Sequence, residues 1–187
     1  ATPLDFSPRC QPFRSEEKPL VMMDAHPHFA QLHPADRPDI EVTETTPFIR
    51  ITDQEALSGE VPELPEGKQL VVRLTGATAP TLMLEALDHT LSLPYILEIN
   101  CTQHSLEELP TWLGFQLGGA LMRGQLSGLY LRRHEEDALA LCSIAFGLLQ
   151  ASRRRISRTD YISCPSCGRT LFDLQSTVAK IKEATKH

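Results

Sequence analysis

The 187 residues carry 24 acidic and 18 basic side chains, a net charge of −6, and 41% of them are apolar. That length suffices for one full domain, or for one domain and part of another, and the apolar share is that of a globular chain. The acidic balance, with only seven Phe, three Tyr and one Trp, argues against a nucleic-acid-binding face, and no apolar run approaches the roughly 20 residues that cross a bilayer.

Residues 1–66 hold ten of the fourteen prolines. The opening is polar and Pro-rich, unlike a signal peptide, has no hydrophobic period and reads as an extended connection. The run Leu20–Met23 reads as a strand. It leads into Asp24, His26, His28 and, later, His33, a group that could ligate a metal or move protons. The plainer account is a polar loop broken by Pro27 and Pro34, since no HExxH-like spacing or Cys partner accompanies it. Pro47–Thr52, with Phe48, Ile49 and Ile51, reads as another strand, Glu55–Ser58 as a helical turn, and 59–67 as a loop.

From residue 67 the pattern becomes regular, and residues 67–156 are expected to form successive β/α units. Leu70–Leu74 is a near-continuous apolar strand, and Pro80 suits the first turn of a helix whose face carries Met83, Leu84, Leu87 and Leu91. Tyr95–Ile99 is the next strand. Ser105 and Glu108 have capping-box spacing ahead of Leu109, Leu113, Leu117 and Leu121. Gly128–Leu131 follows as a strand, then a helix with Ala138, Leu141, Cys142, Ala145, Leu148 and Leu149 inward. Strands buried on both faces, alternating with helices, predict a largely parallel α/β sheet, either a partial barrel or an open doubly wound sheet. Gly114, Gly118, Gly119, Gly124 and Gly128 match no phosphate-binding motif and are assigned to close helix–sheet packing. Arg153, Arg154, Arg155 and Arg158 cluster at a helix C-terminus, where the dipole favours positive charge. A solvated helix end is one account, and a docking patch for an acidic electron carrier is the other.

The five cysteines follow no disulfide framework, which points to a reducing cytoplasm. Cys101 and Cys142 read as buried, inert thiols. Cys164 and Cys167 differ. The stretch Tyr161–Arg169, YISCPSCGR, lies between a short apolar strand and a helical pattern over Thr170–Lys186, with Leu171, Leu174, Val178 and Ile181 on one face. Thiols in a turn before a helix N-terminus are biased toward thiolate. Such a pair can exchange disulfides as in thioredoxin, hold half of a zinc site, or ligate an iron–sulfur cluster. The first needs strands after the helix, for which about twenty residues leave no room; the second needs two further ligands, and nothing at knuckle spacing supplies them.

The block YISCPSCGRTLFDLQ, over Tyr161–Gln175, resembles the 4-hydroxy-3-methylbut-2-enyl diphosphate synthases, and the likeness extends back through Gly128–Leu131 and the helix Ala138–Ala151. It is close from about Gly124 onward and vague before. The resemblance implies a long three-domain form. Residues 1–66 would be a Pro-rich connection with short strands, 67–156 part of a barrel-like insert domain, and 157–187 the start of the iron–sulfur domain. It also implies a [4Fe–4S] cluster with Cys164 and Cys167 as ligands, and a third Cys and a Glu from a later GCxVNGPGE segment that these residues do not contain. The implied reaction is reductive ring opening of 2-C-methyl-D-erythritol 2,4-cyclodiphosphate, a small diphosphate substrate, with flavodoxin or ferredoxin as electron donor and no nucleic-acid or membrane partner. A homodimeric parent is left open, and a plant member would work in the stroma. Arg169 either faces that chemistry or pairs with Asp173 four residues on. In the small family form the last barrel strand carries diphosphate-contacting side chains. Gly128–Leu131, with Arg132 and Arg133 beyond, departs from that pattern, as expected of an insert barrel that serves as scaffold. The chain opens at Ala1 and closes after a helical pattern, so a piece of a longer protein, inactive alone, is expected. The rival expectation is a non-catalytic scaffold using CPSC for zinc or thiol redox chemistry.

Overall fold

A computed structural model describes residues 18–76, 79–124, 126–157 and 173–184. The chain divides into two compact units, one ending at Ser157 and the other beginning at Arg158.

The first unit is built on six described strands: β1 (Leu20–Asp24), β2 (Ile40–Val42), β3 (Phe48–Thr52), β4 (Gln69–Arg73), β5 (Ile96–Asn100) and β6 (Gly128–Arg132). All pairings are parallel, in the order β2-β1-β6-β5-β4-β3. The first strand lies beside the last, so the order is that of a ring opened between β2 and β3. The reason for the opening lies in the chain itself. Only Thr43–Pro47 joins β2 to β3, whereas neighbouring parallel strands need a crossover of a dozen or more residues. The two strands therefore stay unpaired and the sheet is a curled half-barrel.

The side chains alternate as a strand's two-residue period requires. One phase of every described strand except β2 joins a large core with the helices, including Val21, Met23, Leu70, Val72, Leu97, Ile99, Leu129 and Leu131. The other phase forms a second cluster of strand residues, Met22, Val71, Ile96 and Tyr130, edged by Leu20, Ile40, Val42 and Phe48. Helices on one face and a strand-only cluster on the other decide for a barrel-like sheet over a doubly wound one, which carries helices on both faces. Each fully buried Leu in the outer core contributes about 1.5–3 kcal/mol.

The helices follow from local signals. In α1 (Asp53–Ser58) Thr52 and Glu55 form a capping box, and Gly59 ends the helix at φ 81°. Pro80 opens α2 (Pro80–Thr90). Before α3 (Leu109–Arg123) the Glu108 amide donates to Ser105 Oγ at 3.3 Å and the Ser105 hydroxyl donates to Glu108 Oε2 at 2.8 Å; this is half of the expected capping box, and the N-cap residue Glu108 makes no side-chain cap bond. The sequence α1–α2–α3–α4 is also a chain of packed neighbours, with α1 against β3 and β4 and α4 (Ala138–Ala151) against β1 and β6.

The strands expected at Leu20–Met23 and Pro47–Thr52 thus belong to the same sheet as the regular β/α units, the second beginning at Phe48, and β2 is a strand the sequence reading did not identify. Its three residues, flanked by Pro38 and Pro47, offer too short a run for a period to show. The glycines divide. A Cβ at Gly128 would lie 2.6 Å from the Leu20 carbonyl, so close strand approach requires that glycine, but at Gly114 and Gly118 a Cβ would meet nothing within 4 Å. Packing does not account for those two.

In the second unit α5 (Leu174–Ala184) falls within the expected helix. Asp173 caps it, its Oδ1 accepting from the Gln175 and Ser176 amides at 3.0 and 3.2 Å. The strand expected at Tyr161–Ser163 lies outside the described residues.

Candidate functional site

The inner face becomes charged toward the C-terminal ends of the strands. Register places Met22 beside Tyr130, Tyr130 beside Glu98, Glu98 beside Arg73 and Arg73 beside Thr52, one row across five strands. The apolar layer of Leu20, Ile96 and Val71 lies one step below it, and Asn100 and Arg132 pair one step above.

Glu98 is the centre of this mouth, with a side chain only 3% exposed. Burying a carboxylate costs several kcal/mol unless cations and hydrogen bonds replace water. Three arginines do so. Arg73 Nε donates to Glu98 Oε1 at 2.9 Å, Arg50 Nε lies 2.7 Å from Oε2, and Arg132 Nη1 lies 3.5 Å from Oε1. Arg50 on β3 and Glu98 on β5 are two strands apart, roughly 9.5 Å on a flat sheet. Concave curvature and a long side chain bring them together.

Arg132 also gives Nε to Asp24 Oδ2 at 3.0 Å, and the Tyr130 hydroxyl donates to Asp24 Oδ1. Burial, reinforced by the bond to Asp24, pushes the Tyr130 hydroxyl above the ordinary tyrosine value, so it remains a donor. The Tyr130 ring lies between two guanidinium groups, with Arg132 Cζ at 5.7 Å and Arg50 Cζ at 6.0 Å from its centroid. Behind the row, buried Asp53 ties the start of α1 to the loop after β4, its Oδ1 accepting from the Thr75 hydroxyl at 2.6 Å. A cleft of about 420 Å³ opens over the ends of β4, β5 and β6, and a second of about 360 Å³ lies beside Asp24, His26 and His134. This is the end of a β/α barrel at which ligand sites are built.

The group Asp24, His26, His28 and His33 is split by the structure. Asp24 joins the mouth. The His26 ring nitrogen caps a 3-10 turn by accepting from the His28 amide at 3.3 Å, and His33 does the same for Ala35. Among the described residues no cluster of three or more His, Cys, Asp or Glu is placed to hold a metal. Cys101 and Cys142 are buried, and burial pushes the Cys101 thiol up to about 11 despite the opposing pull of Arg133. Arg155 is no solvated helix end: it grips Asp39 with both terminal nitrogens, donates to the Pro19 carbonyl and covers the Phe146 ring at 4.8 Å. Cys164, Cys167, Arg158 and Arg169 lie outside the described residues.

Sequence reasoning missed Arg50, Arg73 and Glu98. The available signal was one charged residue at the same phase in three apolar strands, FIRI, LVVR and ILEI.

No family model matches the chain, and no solved structure does. Curated proteins do. It is 37% identical over 146 residues to the 4-hydroxy-3-methylbut-2-en-1-yl diphosphate synthase (flavodoxin) of Parabacteroides distasonis, a match that covers 75% of this chain and 24% of that protein. Over that span the chain is similar to this synthase. The Porphyromonas gingivalis synthase is 49% identical over 88 residues, 47% of this chain and 15% of that one. The Arabidopsis thaliana synthase (ferredoxin), chloroplastic, is 42% identical over 101 residues, 54% of this chain and 14% of its own length. The chain thus spans a quarter or less of each of these synthases. No described helix is long and apolar enough to cross a membrane.

Proposed function

We propose that the chain is the part of a 4-hydroxy-3-methylbut-2-enyl diphosphate synthase that joins a barrel-like insert to the start of the iron–sulfur domain. The whole protein would reductively open 2-C-methyl-D-erythritol 2,4-cyclodiphosphate in the methylerythritol phosphate route to isoprenoids. The observation that carries this reading is 37% identity to one synthase over three-quarters of the chain. Residues 67–156 then act as scaffold, and 157–187 open the cluster domain. Flavodoxin or ferredoxin, the donors in the relatives' names, would supply electrons in the cytoplasm or, in a plant, the stroma.

The donor set fits half of a [4Fe–4S] cluster. Cys164 and Cys167, two residues apart, suit two of its four ligand positions. Buried Cys101 does not suit the others, since a ligating thiol must reach the thiolate form and burial pushes this one up. When bound, such a cluster supplies electrons one at a time. This chain's part is to hold two thiolates at a fixed spacing ahead of a helix.

Cys164→Ser in the full-length parent tests the reading. Turnover with a reduced donor should fall at least 100-fold, and the broad visible absorption of the cluster should be lost with it. Wild-type turnover in that variant would remove the cluster role from CPSC.

A further inference from the structure

The arginines of the mouth offer more hydrogen-bond donors than its carboxylates use. Arg50, Arg73, Arg132 and Arg133 face Asp24, Glu98 and Asp137, with buried Asp53 behind the row, so guanidinium and carboxylate groups match in number and the surplus lies in donors. Arg133 is matched by Asp137 at 2.6 Å and Arg132 by Asp24, so Arg50 and Arg73 share the single charge of Glu98. Both use only Nε for that contact. Their terminal nitrogens have no hydrogen-bond partner among the described residues. A guanidinium carries five N–H donors in a rigid fork, so most of the donor capacity of this pair is unspent.

Arg73 and Arg132 line the 420 Å³ cleft, together with Asn100 and Thr102. The Asn100 side-chain oxygen accepts from the Thr102 amide at 3.0 Å, which fixes that turn and leaves the Thr102 hydroxyl without a partner among the described residues. We propose that this cleft is a phosphate-binding site for a small phosphate monoester, held by the free fork of Arg73, by Arg132 and by the Thr102 hydroxyl. A carboxylate has two oxygens, which one fork already satisfies; donors arriving from β4, β6 and the turn after β5 suit the three terminal oxygens of a phosphate. Glu98 positions the site: buried, it holds Arg50 and Arg73 by Nε, which leaves their terminal nitrogens unspent, and it meets Arg132 at Nη1. A cleft of this volume also admits a small organic body beyond the phosphate. The inference stands apart from the synthase reading, because it concerns the half-barrel alone and no residue of CPSC.

The test is a titration of the 187-residue chain with inorganic phosphate at constant ionic strength, followed by isothermal calorimetry and by the shift in thermal unfolding midpoint. Saturable binding is expected. Arg73→Gln should weaken it at least tenfold, and Arg73→Lys, which keeps the charge beside Glu98 but not the fork, by a smaller factor with the fold retained. Lys68→Gln makes the same charge change at the other end of β4, on an exposed side chain, and should leave affinity within twofold. The proposal is overturned by a non-saturating response, by equal loss in Lys68→Gln and Arg73→Gln, or by acetate binding as tightly as phosphate.

Discussion

Glu98 shows how one residue sets the chemistry of a surface. Its carboxylate is buried at the centre of three guanidinium groups whose side chains are 33%, 38% and 41% exposed. The carboxylate depends on the arginines to be buried at all, whereas the arginines retain water. Removing it therefore releases repulsion among partly hydrated cations, a smaller penalty than stranding a buried charge, which costs about 3–5 kcal/mol. Glu98→Gln should destabilise the first unit by about 2 kcal/mol, since solvent screens the exposed groups. A urea midpoint unchanged from wild type would mean that the arginines do not rely on Glu98. Asp24 works at the same scale. The sequence alone offered it as a partner for His26 and His28, and three-dimensional proximity gave it instead to Tyr130 and Arg132.

At the scale of single elements, the glycines carry opposite meanings. In β6 a methyl group at Gly128 would press on the Leu20 carbonyl, and backbone cannot yield cheaply. Gly128→Ala should cost about 1–3 kcal/mol, the usual penalty of overpacking. In α3 Gly118 has open space around the position of a Cβ. Gly118→Ala should stabilise by about 0.5–1 kcal/mol through helix propensity and a less flexible unfolded chain. Thermal unfolding of the two variants, measured side by side, separates the accounts: a loss in Gly118→Ala would point to a neighbour that this chain does not itself provide. Exposed Phe115, at 81%, and Met122 lie on the same helix.

At the scale of the molecule, the ring of strands has a firm middle and two loose ends. β5 and β6 are each paired on both sides, while β2 and β3 expose an unpaired edge and β2 has only three residues. Amides of Leu97–Ile99 and Leu129–Leu131 should exchange with solvent only through global unfolding of the first unit, and those of β2 through local opening. Native-state hydrogen exchange with increasing urea measures this. Protection of Ile40–Val42 equal to that of β6 would mean that the open edge is covered in solution.

Sequence alone determined most of the described elements of this protein, β2 excepted, and its likeness to the synthases. Apolar runs of four or five residues, Pro80 at a helix start and the Ser105–Glu108 spacing act locally, within a turn or a strand, and can be read without the fold. The CPSCGRTLFD block is likewise contiguous, and so it carried that likeness before any geometry was known. The tertiary structure decided what depends on distant residues meeting. The opening between β2 and β3 comes from a link too short to cross over, and its effect appears only once β1 has paired with β6. Arg50, Arg73, Glu98 and Arg132 are spread over more than eighty positions of chain, and each alone resembles an ordinary polar interruption in an apolar strand. Curling the sheet brings the three arginines onto Glu98. Burial of the carboxylate then strengthens the attraction, while water still reaches the arginines and screens part of it.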